Sequence, residues 1–295
     1  MSSTAVGITT ALDGPLPSSP PQSLLNTPGV VQDAGRGLDG ERIDIDRVLG
    51  GANVWMYPTG CSALWEPCSD GTFRVKDDAS TQLAPRFDSF VVYKSITCSV
   101  FGMDDASLRD LGRRASVVLN ATLSAGVERA LAEGVAGSSN PFFGDGNVQV
   151  LNSGTAVSPR VAVSWLEEAI GTNCRQGMIH LTPASVAGLP APLREGATLA
   201  TANGTPVVSG MGYQGVDTSD LSSPAAHQDW AFATTGVNVY LGPVRLPAPK
   251  EAVQRDINLV TFLAETYVLA VWDGYNGDPD DPQLSAAAVL VDWAS

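Results

Sequence analysis

The sequence predicts an α+β protein built on two elongated elements, and three observations carry that prediction. Residues 105–133 hold an apolar stripe at helical spacing, bounded by acidic capping residues at one end and Gly134 at the other. Residues 256–272 are apolar on both alternating faces apart from Glu265. Between these elements the chain alternates helix-like and strand-like patterns, the mark of a compact α/β unit.

Residues 1–50 are rich in Pro, Gly and Ser (PLPSSPPQSLLNTPG, GRGLDG), show no sustained period, and read as an extended arm or tail with no core of its own. Residues 51–86 alternate apolar patches (VWMY, ALW, TFRV) with turn clusters (PTG, CSDG, KDDAS), which predicts a projecting hairpin. Residues 87–145 open on FDSFVVYKSITCSVF, β-branched and aromatic at strand density. The long helix follows, with Asp104 or Asp105 as N-cap. Leu108, Leu111, Ala115, Val118 and Thr122 recur at helical spacing, and Leu119, Leu123, Val127 and Leu131 extend the stripe. Asp110 and Arg114, one turn apart, mark an exposed face. At ~1.5 Å per residue this helix would run about 43 Å.

Residues 146–235 form the alternating unit. SPRVAVSWLEEAIG is a helix capped by Ser158 with Pro159 in its first turn, GMIHLT a buried strand, and PASVAGL a short helix. TLATANGTPVVSGMGY holds two strands around Asn203-Gly204. Residues 236–295 are expected to be return strands: VNVYLGPVRL, the long run 256–272 and AAAVLVDWA. As one strand, 256–272 would reach roughly 55 Å at ~3.3 Å per residue. Two elements of such length suit a flat, extended subunit.

Composition narrows the function. With 44% hydrophobic and 16% charged residues, this is a folding chain. No apolar run of about 18 residues could span a bilayer, and MSSTAVGITTALDG has neither the basic start nor the apolar core of a secretory signal, so a cytosolic chain is expected. The net charge of −14, half of it within residues 251–295, excludes a basic nucleic-acid groove. Cys61, Cys68, Cys98 and Cys174 lack zinc spacing; free thiols are expected, with a Cys61–Cys68 bridge the alternative in an oxidised particle.

The order arm, hairpin, strand, long helix, α/β insert and returning strand resembles the major capsid proteins of tailed phages, the Johnson or HK-ninety-seven-type fold shared with encapsulins. Two stretches carry the match. LNATLSAGVERALAEG followed by Gly144-Asp145-Gly146 resembles the end of that family's spine helix. Residues 256–271, DINLVTFLAETYVLAV, resemble its long C-terminal strand. The resemblance implies an N-arm (1–50), an E-loop (51–86), a peripheral-domain strand and spine helix (87–145), an axial domain (146–235) and peripheral return strands (236–295). It further implies an icosahedral virion shell of pentamers and hexamers, assembled in the host cytoplasm around phage double-stranded DNA, with a portal and no sequence-specific DNA contact. The first 50 residues are neither long nor helical enough for the cleaved scaffolding segment of some members, which implies a separate scaffolding protein. Some members weld their shells with an isopeptide bond, and Lys76, Asn258 and Glu265 match that lysine, asparagine and glutamate, with the family's Asn/Glu spacing. In an apolar strand Glu265 is expected to favour its neutral form and to take the lysine's proton. Asp77 and Asp78 hold Lys76 in its charged, unreactive form, so non-covalent locking is the expectation. An encapsulin-like compartment is the rival reading, and an unrelated α/β enzyme a more distant one.

No enzymatic constellation competes. Gly210-Met-Gly-Tyr-Gln-Gly215 has dinucleotide-fingerprint spacing, but VDTSDLSSP after it supplies no helix to meet a pyrophosphate, so a glycine turn is expected. His180 reads as a satisfied core histidine and His227 as a surface one. Adjacent Glu167 and Glu168 read as a solvated helix face, and Asp273, Asp278, Asp280 and Asp281 as an acidic turn. Cys174 has no recognisable base nearby, and no Gly-x-Ser-x-Gly elbow occurs. The sequence therefore implies no cofactor, metal or catalytic residue.

Overall fold

The computed structural model describes residues 18, 20–32, 52–56, 82–99, 105–172, 176–189, 194–195, 198–247, 253–254, 258–272 and 286–295. In chain order the strands are β1 (Val31–Gln32), β2 (Ala52–Met56), β3 (Gln82–Phe87), β4 (Phe90–Ser99), β5 (Gln149–Val150), β6 (Gly177–Leu181), β7 (Arg194–Glu195), β8 (Thr198–Ala200), β9 (Pro206–Ser209), β10 (Gln228–Thr235), β11 (Val237–Leu241), β12 (Val253–Gln254), β13 (Leu259–Trp272) and β14 (Ala287–Asp292). The helices are α1 (Asp105–Glu133), α2 (Pro159–Thr172) and α3 (Pro183–Ala187), with short 3-10 turns at Leu24–Asn26, Leu151–Gly154 and Met211–Tyr213.

The long helix is continuous over the span its caps predict. Gly134, at φ +80°, ends it by donating its N–H to Ala130 C=O at 3.0 Å. The helix lies against β13, the spine of a five-stranded sheet. One flank of β13 carries β4 in ten antiparallel pairs, from Leu259↔Ser99 to Val268↔Phe90. Its other flank carries β11, an isolated bridge from Arg245 to Glu265, and β12. Period-two alternation sends Val260, Phe262 and Ala264 toward the helix, where Ala115 and Leu119 close over them. Past Thr266 the strand is buried on both faces, because there it passes between the helix and the second sheet.

The second sheet has seven strands in the order β5-β14-β10-β6-β9-β8-β7. The α2 stripe of Ala162, Leu166 and Ile170 packs on Ile179, Leu181, Ala231, Ala233, Val289 and Val291. Gly204, at φ +85°, makes the turn between β8 and β9 that Asn203-Gly204 predicts. The chain steps from this sheet to the five-stranded one at Gly236, between β10 and β11. The last strand, grouped by its sequence with the return strands of residues 236–295, pairs elsewhere. β14 does not join the return strands but pairs with β10 from Gln228↔Asp292 to Ala233↔Ala287. It is buried on both faces there, as a central strand of small and β-branched residues should be.

Two further expectations meet the structure in part. β2 and β3 pair antiparallel as the hairpin stem, with a register shift between Asn53 and Trp55, while the hairpin's remaining residues lie outside the described set. The arm differs from expectation over residues 20–32. This segment does not lack a core; it shares one, with Leu24 and Val30 fully buried among side chains of α1 and both sheets.

Candidate assembly site

Two surfaces and one buried junction could matter to assembly. The first surface is β4. It is an edge strand among the described residues, since β13 is its sole partner. Val92, Ile96 and Cys98 face the helix, and Val92 lies against Gly126 where a Cβ would come within 2.8 Å. The other face exposes Val91 (40%) and Tyr93 (62%), opposite Tyr267 and Glu265 on β13. Arg245 lies over the Tyr267 ring at 4.9 Å, and Leu246 beside it is 43% exposed. Aromatic, apolar and arginine side chains on one face are what protein interfaces favour. The second surface is the β2–β3 stem, a two-stranded ribbon anchored to the core through the buried Phe87 of β3.

The proposed crosslink residues are separated within one subunit. Asn258 is exposed, in the left-handed region at φ +53°, immediately before β13. Glu265 sits seven residues along the strand, about 23 Å away at ~3.3 Å per residue. It lies on the half-exposed face rather than in the core. One subunit therefore cannot bring this carboxylate to its own Asn258. Lys76 lies outside the described residues, as do Cys61, Cys68, Cys174, Asp273, Asp278, Asp280 and Asp281.

The buried junction was not anticipated. On the C-terminal half of α1, Glu128 is fully buried and faces three donors. Its Oε1 accepts from Leu24 N–H and from Ser124 Oγ, both at 2.9 Å, and its Oε2 accepts from Gly212 N–H at 2.9 Å. Ser124 Oγ in turn accepts from Leu25 N–H at 3.1 Å. Three donors and no acceptor are the partner set a carboxylate needs. The glycine-rich loop packs directly on helix backbone. A Cβ on Gly212 would stand 2.3 Å from Ala125 O, 2.5 Å from Glu128 Cβ and 2.6 Å from Arg129 N. Arg129 donates to Gln214 C=O at 2.7 Å and pairs with Glu133, which accepts from Asp217 N–H at 3.1 Å. The loop is thus a glycine turn, as expected, latched to α1 by three successive charged side chains.

Tyr213 continues the junction inward to His180. Thr234 Oγ donates to Thr235 C=O at 2.8 Å, so it must accept from His180 Nε2–H at 2.9 Å. His180 Nδ1 then accepts from the Tyr213 hydroxyl at 2.8 Å. Both ring nitrogens are thus hydrogen-bonded in one tautomer of the neutral imidazole. Burial pushes its pKa down to about 3. Burial, and secondarily the Glu128 charge, push the Tyr213 hydroxyl well above its usual range. His180 is the satisfied core histidine the sequence predicts, tilted against Phe143 with ring centroids 4.8 Å apart. His227 is exposed, edge-on to Trp293.

Glu167 departs from its expected place on a solvated face, while Glu168 is exposed as expected. Glu167 accepts from Thr201 and Asn203 and so ties the β8–β9 turn to α2. Partial burial raises its carboxyl, but the hydrogen bonds from Thr201, Asn203 and Thr205 outweigh that and hold it below its ordinary value.

Over nearly its whole length this architecture is similar to that of solved capsid structures. It superimposes on the subunit of the acid-stable capsid of Helicobacter pylori bacteriophage KHP30 with a TM-score of 0.50 at 8% identity, covering 98% of this chain and 95% of that one. It matches the capsid of a native GTA particle with a TM-score of 0.50 at 12% identity, covering 99% and 95%. No family model matches the sequence, and no curated protein does. The chain thus has the capsid fold expected from its sequence, the likeness residing in the backbone.

Proposed function

We propose that this chain is a major capsid protein, which self-assembles into an icosahedral shell enclosing phage double-stranded DNA. The observation that carries the reading is the likeness of fold to two capsid structures over 98% and 99% of the chain. The work is geometric and no catalysis is assigned. Heterologous contacts must close around symmetry axes, and the open β4 edge, its aromatic face and the β2–β3 stem supply surfaces for them. A net charge of −14 suits a shell that must hold DNA without binding it tightly.

Pentamers and hexamers are the assembly units of this reading, with a separate scaffolding protein and a portal as partners and the virion as the destination. Locking is non-covalent. Electron microscopy of the purified full-length chain, expressed with and without the neighbouring phage genes, tests the proposal. Closed shells that protect DNA from nuclease support it. Shells that enclose a protein cargo and no DNA would move the chain to the compartment reading. A small monodisperse oligomer under all these conditions would remove both.

A further inference from the structure

We infer that residues 22–32 and the Glu128 junction form an intramolecular clasp that fixes the angle between the two sheets, and with it the curvature of the shell. The clasp's role in curvature rests on the capsid reading; the clasp itself does not. Eleven consecutive residues touch one sheet, the helix and the other sheet in turn. Gln22 C=O accepts from Ser209 N–H at 2.8 Å, at the end of β9 in the seven-stranded sheet. Leu24 and Leu25 donate to Glu128 and Ser124 on α1. Val30 C=O accepts from Val239 N–H at 2.9 Å, and β1 then runs parallel to β11 of the five-stranded sheet, with Val31↔Val239 and Gln32↔Tyr240.

Opposite the clasp lies a joint. At Gly236 the chain passes directly from β10 to β11, and nothing stands within 4 Å of where its Cβ would be. Between joint and clasp an open cleft of about 450 Å³ runs from Pro28, Gly29 and Val30 to Gly236, Val237 and Asn238, floored by Gly177 and Met178 of β6. A second, of about 290 Å³, follows the other flank of the segment. Beside these clefts the segment is held by its hydrogen bonds and by three buried side chains, Ser23, Leu24 and Val30.

Glu128 couples the two ends of the device. One carboxylate takes the arm on Oε1 and the loop of the seven-stranded sheet on Oε2. Freeing Leu24 leaves that oxygen with Ser124 alone, and the fully buried carboxylate one donor short. Arm and loop consequently hold or release together, which a simple structural carboxylate serving one element would not require.

The test compares the full-length chain with Glu128→Gln and Ser124→Ala, by amide hydrogen exchange on free subunits and by electron microscopy of assembled shells. Glutamine keeps the shape of Glu128 but turns one oxygen into an NH2 that opposes a donor. The expected result is exchange about tenfold faster or more, at residues 24–25 and at 212 together, with β10 and β14 unchanged. Shells of the variant should spread in diameter or fail to close. Faster exchange at 24–25 alone, or variant shells with the wild-type diameter, would overturn the clasp. Should Glu128→Gln not fold, Ser124→Ala decides the matter, because it leaves the carboxylate with its Leu24 and Gly212 donors and removes the Leu25 link and the Ser124 donor. Wild-type subunits that form no shell would sink the capsid reading instead, while the exchange data still judge the clasp.

Discussion

Replacing Gly212 by alanine tests how the glycine-rich loop meets the spine helix. The added Cβ would stand 2.3 Å from the Ala125 carbonyl oxygen and 2.6 Å from the Arg129 nitrogen, both backbone atoms of α1. Neither can turn aside as a flexible side chain would, so the loop must lift. Overpacking of this kind costs about 1–3 kcal/mol. Lifting also stretches the Gly212 N–H bond to the buried Glu128 carboxylate, and a hydrogen bond to a charged group contributes about 1.5–3 kcal/mol. A destabilisation of about 2.5–6 kcal/mol follows. Urea unfolding of free subunits, followed through the buried Trp230 and Trp272, measures it. Gly236→Ala is the internal control: its Cβ meets nothing within 4 Å, so the change should stay within about 0.5 kcal/mol. If the two variants shift the midpoint equally, the loop does not bear on the helix as described.

Three further outcomes are expected. Leu119→Ala, fully buried between α1 and the Val260–Phe262–Ala264 face of β13, should cost about 2–5 kcal/mol in the same unfolding assay. Between pH 6.5 and about 3 the unfolded chain protonates His180 and the folded one does not. Stability should therefore fall as the pH drops through that window, by up to about 1.4 kcal/mol per unit, and comparison with His180→Gln should show that share of the slope removed. Boiled mature particles should run as a single band near 30.7 kDa on a denaturing gel, whereas a ladder abolished by Lys76→Ala would establish a covalent shell.

The elements most legible in the sequence are those whose periods are local. The α1 stripe with its Gly134 stop, the Pro159 start of α2 and the Asn203-Gly204 turn each declare themselves within a few residues, and each stands where its pattern puts it. Long-range partners are another matter. AAAVLVDWA reads as a strand, but its composition fits the interior of either sheet, and six backbone pairs to β10 decide which. The arm shows the same limit more sharply. Leu24 and Val30 are isolated apolar residues in a Pro- and Gly-rich stretch, and their burial depends on a groove assembled by residues about a hundred and two hundred positions away. Glu167 reads as solvated because its partners, Thr201 and Asn203, lie beyond an intervening strand and helix.

The Gly210–Gly215 motif has dinucleotide-loop spacing for a physical reason. In a nucleotide site, glycines let backbone approach an anion closely and aim its N–H groups at it. Here Gly210 and Gly212 let the backbone approach the chain's own Glu128, and Gly212 aims its N–H at it, while the Gly210 N–H goes to Leu181 C=O. Spacing alone therefore reports close backbone approach to negative charge, not whose charge it is. The discriminating signal was on the helix. Ser124 and Glu128 lie one turn apart in SAGVERALA, a stretch otherwise small or apolar except for Arg129, and the helix there is buried far more widely than a single stripe requires. An acid in such a stretch must find donors from elsewhere in the chain. A glycine loop lacking a following helix must find an anion or go without. Taken together, the two deficits point to each other, and the structure joins them at 2.9 Å.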